Sequence, residues 1–179
     1  MRATVIETPR LRLEPLALEH AEEMSRALDD PRLHEFTGGR PATAPELEAR
    51  YARLTAEPGS AHGEGWLNWI VRHRAAGRAI GTVQATLKLH EEQAVAELAW
   101  VISSAYQRQG HAKEAVGAMA AWLRGRSVAV FVAHIHPGHL ASMAVARSIG
   151  LAPTDVVVDG ETRWRSPDNP GDVPASAGA

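Results

Sequence analysis

The chain of 179 residues contains no cysteine. That excludes disulfides, thiolate metal sites and a cysteine nucleophile, and it favours a cytoplasmic location. No apolar run approaches the roughly 18–20 residues that a membrane-spanning helix needs. The N-terminus lacks the basic-then-apolar layout of a secretory signal. An excess of either charge is lacking: 19 Lys and Arg stand against 21 Asp and Glu, for a net charge of −2, so neither a nucleic-acid partner nor a membrane surface is expected. The 45% hydrophobic and 22% charged content suits a soluble globular chain, and the length suits one domain with a core. Nine histidines raise the question of a metal. His134 and His136 flank Ile135, but the spacing offers no third ligand, so no metal is expected.

Hydrophobic periodicity orders the chain. Arg10 to Leu16 alternates as a strand. Glu19 to Leu28 reads as a helix with Ala21, Met24 and Leu28 inward, and Asp29 to Gly39 as a loop. Thr43 and Glu46 form a capping-box pattern opening a second helix, with Leu47, Tyr51 and Leu54 on one face. Leu67–Arg74, Ala79–His90 and Val95–Ser103 read as an antiparallel meander with turns at "AAGR" and "EEQA". In the third strand Leu98, Trp100 and Ile102 share the core face, and Glu97, Ala99 and Val101 share the other. Lys113 to Arg124 is helical. Val128 to Ile135 is a near-continuous apolar strand, buried on both faces. His139 to Ile149 is a helix with Gly150 at its left-handed end. "VVVDGETRWR" is a hairpin turning at Asp159-Gly160. Residues 1–165 are read as a single domain and 166–179 as a disordered tail.

"SAYQRQGHAKEAV" is the segment that carries chemistry. A polar loop enters a helix near His111, whose first N–H groups have no intrahelical partners and carry the positive end of the helix dipole. Gly110 lets a ligand approach the backbone, and Arg108 adds a charge. These are the features of a phosphate or pyrophosphate site; the alternative is an ordinary glycine-bearing turn with a solvated arginine.

Gln107-Arg108-Gln109-Gly110-His111-Ala112 resembles the Q/R-x-x-G-x-G/A loop of the GNAT superfamily of acyl-CoA-dependent N-acyltransferases. "TPRLRLEPLALEHAEEM", "AELAWVISSAYQRQGHAKEAV" and "HPGHLASMAVARSIGLAPT" are similar to the branch containing ribosomal-protein N-terminal acetyltransferases, across roughly residues 8 to 165. The resemblance implies an α/β (α+β) fold: a mixed, mostly antiparallel sheet with a central β-α-β crossover and helices on both faces. The order of elements read from periodicity agrees with it.

The resemblance further implies acetyl-CoA as acyl donor and a primary amine, either a protein N-terminus or a small molecule, as acceptor. Backbone N–H groups of Arg108, Gln109, Gly110, His111 and Ala112 would hold the pyrophosphate. Pantetheine would pair with main chain at Val101 and Ile102, where an N–H would also polarise the acetyl carbonyl. Glu97 is the candidate base and Ser142 a candidate contact to the sulfur. His139 stands where the family usually has a pantetheine-binding asparagine. His34, Glu35 and Phe36 lie in the region that shapes the acceptor site. A tyrosine acid, common in GNATs after the start of the helix following the fifth strand, is missing. The family pattern also admits a homodimer. The rival reading is a non-catalytic acyl-CoA-binding sensor or interaction module.

Overall fold

A computed structural model describes residues 1–56, 65–90 and 93–167. The glycine-rich segment 60–65, the turn at 91–94 and the C-terminal tail therefore fall partly or wholly outside the described residues. The strands are β1 (Ile6–Glu7), β2 (Leu11–Pro15), β3 (Gly65–His73), β4 (Arg78–His90), β5 (Gln93–Ile102), β6 (Val130–Ile135), β7 (Ala152–Val158) and β8 (Glu161–Arg165). The helices are α1 (Ala21–Ala27), α2 (Ala44–Ala56), α3 (His111–Arg124) and α4 (Leu140–Ser148). They build one eight-stranded sheet in the order β1-β2-β3-β4-β5-β6-β8-β7. Every neighbouring pair is antiparallel except β5 and β6. The β5-α3-β6 crossover forces that parallel pair, because a parallel strand cannot be reached by a tight turn.

Both faces of the sheet are covered. The larger core joins Leu13, Trp69, Val83, Leu98 and Ile102 to Ala115, Val116, Met119 and Leu123 of α3 and Val145 of α4. The smaller packs Met24 of α1 and Leu47 and Tyr51 of α2 on Ile70 and Ala79. Arg72 fastens α1 to the sheet: it bonds Glu14 at 2.9 Å and Glu23 at 3.1 Å, while the other Glu23 oxygen accepts the Ala79 N–H at 2.8 Å.

Boundaries shift where local chemistry overrides periodicity. A 3-10 turn, Leu18–His20, precedes α1. Helix α3 starts two residues before Lys113, because Gly110 caps it in the left-handed conformation with φ 80°. In α4, His139 is the N-cap rather than the first helical residue. At the start of α2 the Glu46 carboxylate accepts the Thr43 N–H at 2.8 Å and the Thr43 hydroxyl at 2.9 Å. Asp159 and Gly160 both take positive φ, as the tight turn between β7 and β8 requires. Ser166, expected in the tail, is instead buried: its Oγ accepts the Phe131 N–H at 2.9 Å and its own N–H bonds the Phe131 carbonyl at 3.0 Å.

Gly81 of β4 lies opposite Ile102, the last residue of β5. A Cβ there would stand 2.1 Å from the Val101 carbonyl oxygen and 3.0 Å from the Ile102 Cα. Backbone cannot yield as a side-chain tip can, so Gly81→Ala is expected to cost at least about 1–3 kcal/mol. Gly117, inside α3, has open space at its Cβ position, and Gly117→Ala should add up to about 1 kcal/mol. Urea unfolding of the two variants, beside the unsubstituted protein, checks both signs.

Candidate active site

The site begins where two strands part. β5 and β6 pair only at Val95–Val130, Ala96–Phe131 and Glu97–Val132. Beyond that point β5 stays in register with β4 as far as Ile102, and β6 turns its pairing to β8. Main chain from Leu98 to Ile102 thus borders a wedge that β6 does not fill. At the end of this edge the Gln107 side chain donates to the Ile102 carbonyl at 2.9 Å, and the Val101 carbonyl is turned onto Gly81.

The wedge leads directly to the N-terminus of α3. A 3-10 turn, Ser104–Tyr106, ends β5, and Arg108 takes φ 59° before Gly110. Residues 107–110 are exposed. The Gln109 amide donates back to the Ala105 carbonyl at 3.1 Å. Arg108 has no side-chain partner among the described residues, so its charge is available to a ligand. The His111 ring does not face solvent: it is 2% exposed, with Nδ1 3.0 Å from the Tyr106 carbonyl, and it packs edge-on to His73. Only the backbone of His111 and Ala112 is therefore left for binding, Ala112 being packed against the core.

Sequence reasoning missed a second cation here. Arg10, at the entry to β2, donates to the Gln109 carbonyl at 2.9 Å, and its guanidinium lies 3.4 Å from where a Gly110 Cβ would be. Its Nε bonds Glu114 at 2.6 Å. The other Glu114 oxygen accepts the Thr8 hydroxyl at 2.6 Å and the Arg10 N–H at 3.0 Å. Burial alone would raise the Glu114 pKa, but the Thr8 and Arg10 bonds outweigh it and hold the carboxyl below its ordinary value. One carboxylate thus locks the loop, the N-terminal segment and α3 together. No sequence signal linked residues 104 positions apart.

Among the predicted acceptor and coenzyme residues, Phe36 and His139 come together and others do not. Phe36 stacks on His139 with ring centroids 4.5 Å apart and also meets His136 at 5.4 Å. The proposed acceptor loop therefore rests on the entry to α4. Burial lowers the His139 pKa and outweighs the opposing charge of Glu35. Glu35 is exposed. His34 turns inward on its own loop, with Nδ1 3.1 Å from the Gly38 carbonyl. Ser142 is half-buried in the first turn of α4, and its hydroxyl has no partner among the described residues. Glu97 is bound on both sides: Lys88 Nζ lies 3.1 Å from Oε2 and His134 Nδ1 3.3 Å from Oε1. Burial raises the Glu97 pKa, but Lys88 and His134 together pull it below the ordinary value.

Glu114 gives a test of the loop's anchoring. Its depressed pKa means that its contribution to stability is full above the unfolded-state value, near 4.5, and is lost as pH falls through the folded-state value. Glu114→Gln is expected to cost about 1.5–3 kcal/mol at pH 7, the range for hydrogen bonds to charged groups, and to flatten the acid limb of stability against pH. Urea melts between pH 3 and 7 check both effects.

The sequence matches the family model described as "Acetyltransferase (GNAT) domain" over residues 10–152. No curated protein matches it. Among solved structures, an acetyltransferase from Agrobacterium tumefaciens str. C58 is 24% identical, with a TM-score of 0.69 over 91% of this chain and 94% of its own. The ribosomal-protein-S5-alanine acetyltransferase from Vibrio fischeri is 15% identical, with a TM-score of 0.73 over 92% and 96%. RimL, a ribosomal L7/L12 alpha-N-protein acetyltransferase in complex with coenzyme A, is 13% identical, with a TM-score of 0.74 over 90% and 97%. The structural likenesses are of fold; the family match covers most of the chain and includes the parted strands and the glycine-capped helix. The chain belongs to the GNAT acetyltransferase family and is an N-acetyltransferase.

Proposed function

We propose that the protein transfers the acetyl group of acetyl-CoA to a primary amine by direct attack within a ternary complex. The observation that carries this reading is the continuity of an unpaired strand edge, Leu98–Ile102, with an exposed, glycine-capped helix N-terminus. The N–H groups of Arg108 to Ala112 and the Arg108 side chain suit the coenzyme pyrophosphate. Pantetheine follows the free edge of β5 near Val101 and Ile102, and an edge N–H polarises the acetyl carbonyl. The unpartnered Ser142 hydroxyl suits the sulfur. The His139 ring, spent on Phe36, lines the arm rather than donating to it. The acceptor enters from the face bearing Glu97, near Phe36, with His34 and Glu35 in the surrounding loop. It is a peptide N-terminus or a small-molecule amine; the likeness in fold to ribosomal-protein acetyltransferases favours the former. The reading includes a cytoplasmic location and admits a homodimer.

Holding both reactants removes much of the entropic cost of their meeting. Thiol release from acetyl-CoA across N-terminal peptides, amino acids, polyamines and aminoglycosides tests the reaction, with no thiol background from a cysteine-free chain. Release that depends on one amine class is expected; acetyl-CoA binding without release to any amine would establish the binding-module rival instead. Arg108→Glu should weaken acetyl-CoA binding about tenfold, or about 1.4 kcal/mol, with an unchanged melting temperature. Calorimetric titration reads the affinity.

A further inference from the structure

The Glu97 carboxylate is poorly suited to take a proton. Both oxygens are engaged, by Lys88 at 3.1 Å and His134 at 3.3 Å. A carboxylate held ionised by a lysine is a weak base toward an ammonium. An ionised carboxylate only accepts hydrogen bonds, so the nitrogen facing it, His134 Nδ1, carries the ring proton. The neutral ring then has its lone pair on Nε2, which has no partner among the described residues. His134 lies on β6 two residues beyond Val132, the last residue paired to β5. It shares the sheet face of Glu97, away from the larger core. The dyad therefore spans the mouth of the wedge. The other charged neighbour by register is Arg163, opposite His134 on β8; Thr86 stands opposite Glu97 on β4.

We propose that His134 Nε2 is the base that deprotonates the acceptor, and that Glu97, held by Lys88, is the residue that positions it. This rests on the amine-acetylation reading above. The ammonium gives one proton to Nε2. The freed nitrogen pair forms the N–C bond as the carbonyl π pair moves to oxygen. The oxygen pair then reforms the C=O, the C–S bond breaks, and its electrons leave on sulfur. The second nitrogen proton passes to the thiolate, giving amide and free thiol, and His134 releases its proton to solvent. The logic is that of a carboxylate fixing an imidazole tautomer so that the far nitrogen is free.

The experiment uses the full chain, acetyl-CoA and two acceptors: an alkylamine protonated at neutral pH and an aryl hydrazine that is not. His134→Gln should lower kcat for the alkylamine about 100-fold or more, the scale of general base catalysis, and for the hydrazine less than about tenfold. Acetyl-CoA affinity should not change. Nitrogen NMR of the unsubstituted protein at pH 8 should show the Nδ1–H tautomer of His134, and Glu97→Gln should reduce its population. Equal losses for both acceptors would assign His134 a structural role and overturn the proposal, as would an Nε2–H tautomer. An unsubstituted protein that acetylates amines while His134→Gln keeps full rate defeats the base alone. One that binds acetyl-CoA and acetylates nothing defeats the underlying reading as well.

Discussion

The brevity of the β5–β6 pairing is the constraint on which the site depends. Three residues on each strand meet, and then the strands part. On its other side β5 is held to β4 through ten paired positions, Gln93 to Ile102, so it cannot bend to follow β6. β6 is held by β8 over Val132 to Ile135. The sheet therefore stays whole, with an unfilled edge in its middle. An unpaired edge exposes N–H and C=O groups that seek partners. A ligand with an amide-bearing chain, as pantetheine is, meets that demand without a side chain having to supply it.

Two devices keep the edge where the loop can use it. Gly81 lets the backbone of β4 lie against the Val101 carbonyl at a separation that a methyl group would forbid. Glu114 ties Thr8 and Arg10 to the first turn of α3, so the loop is fixed from the far edge of the sheet. A carboxylate beside a helix N-terminus is favoured by the dipole, but it also partly satisfies the positive end that an anion would use. Arg10 offsets that: it neutralises Glu114 and brings its own guanidinium beside Gly110.

What could be read from the sequence follows from how local each signal is. β3, β4 and β5 alternate because each buries one face more than the other, and β6 is a solid apolar run because both its faces are covered. Gly110 marked the turn into α3 because its conformation is a local demand. β1 has two residues, too few for any period. Ser166 was assigned to the tail on composition, while its burial comes from pairing with Phe131, 35 residues away. The bond from His134 to Glu97 spans 37 residues, so nothing in the local His-x-His pattern pointed to it. The acceptor role of the loop holding His34, Glu35 and Phe36 was assigned by resemblance alone. The structure sorts its members by contact: Phe36 reaches His139, whereas His34 satisfies its own turn.

The missing tyrosine fits the chemistry proposed for this wedge. The chain's two tyrosines are both committed elsewhere: Tyr51 lies in the core under α1 and α2, and Tyr106 packs against His73 and His111 behind the loop. No phenol is left to protonate the departing sulfur. The need is slight, since a thiol has a pKa of about 8.5 whereas an alkylammonium such as lysine's lies near 10.4. The thiolate leaves near neutral pH at small cost, while the amine cannot attack until it gives up a proton it holds firmly. A site of this kind is limited by its base rather than its acid. In the mechanism proposed here that is the end of the reaction served by Lys88, Glu97 and His134, with the unpartnered Ser142 hydroxyl left for the sulfur.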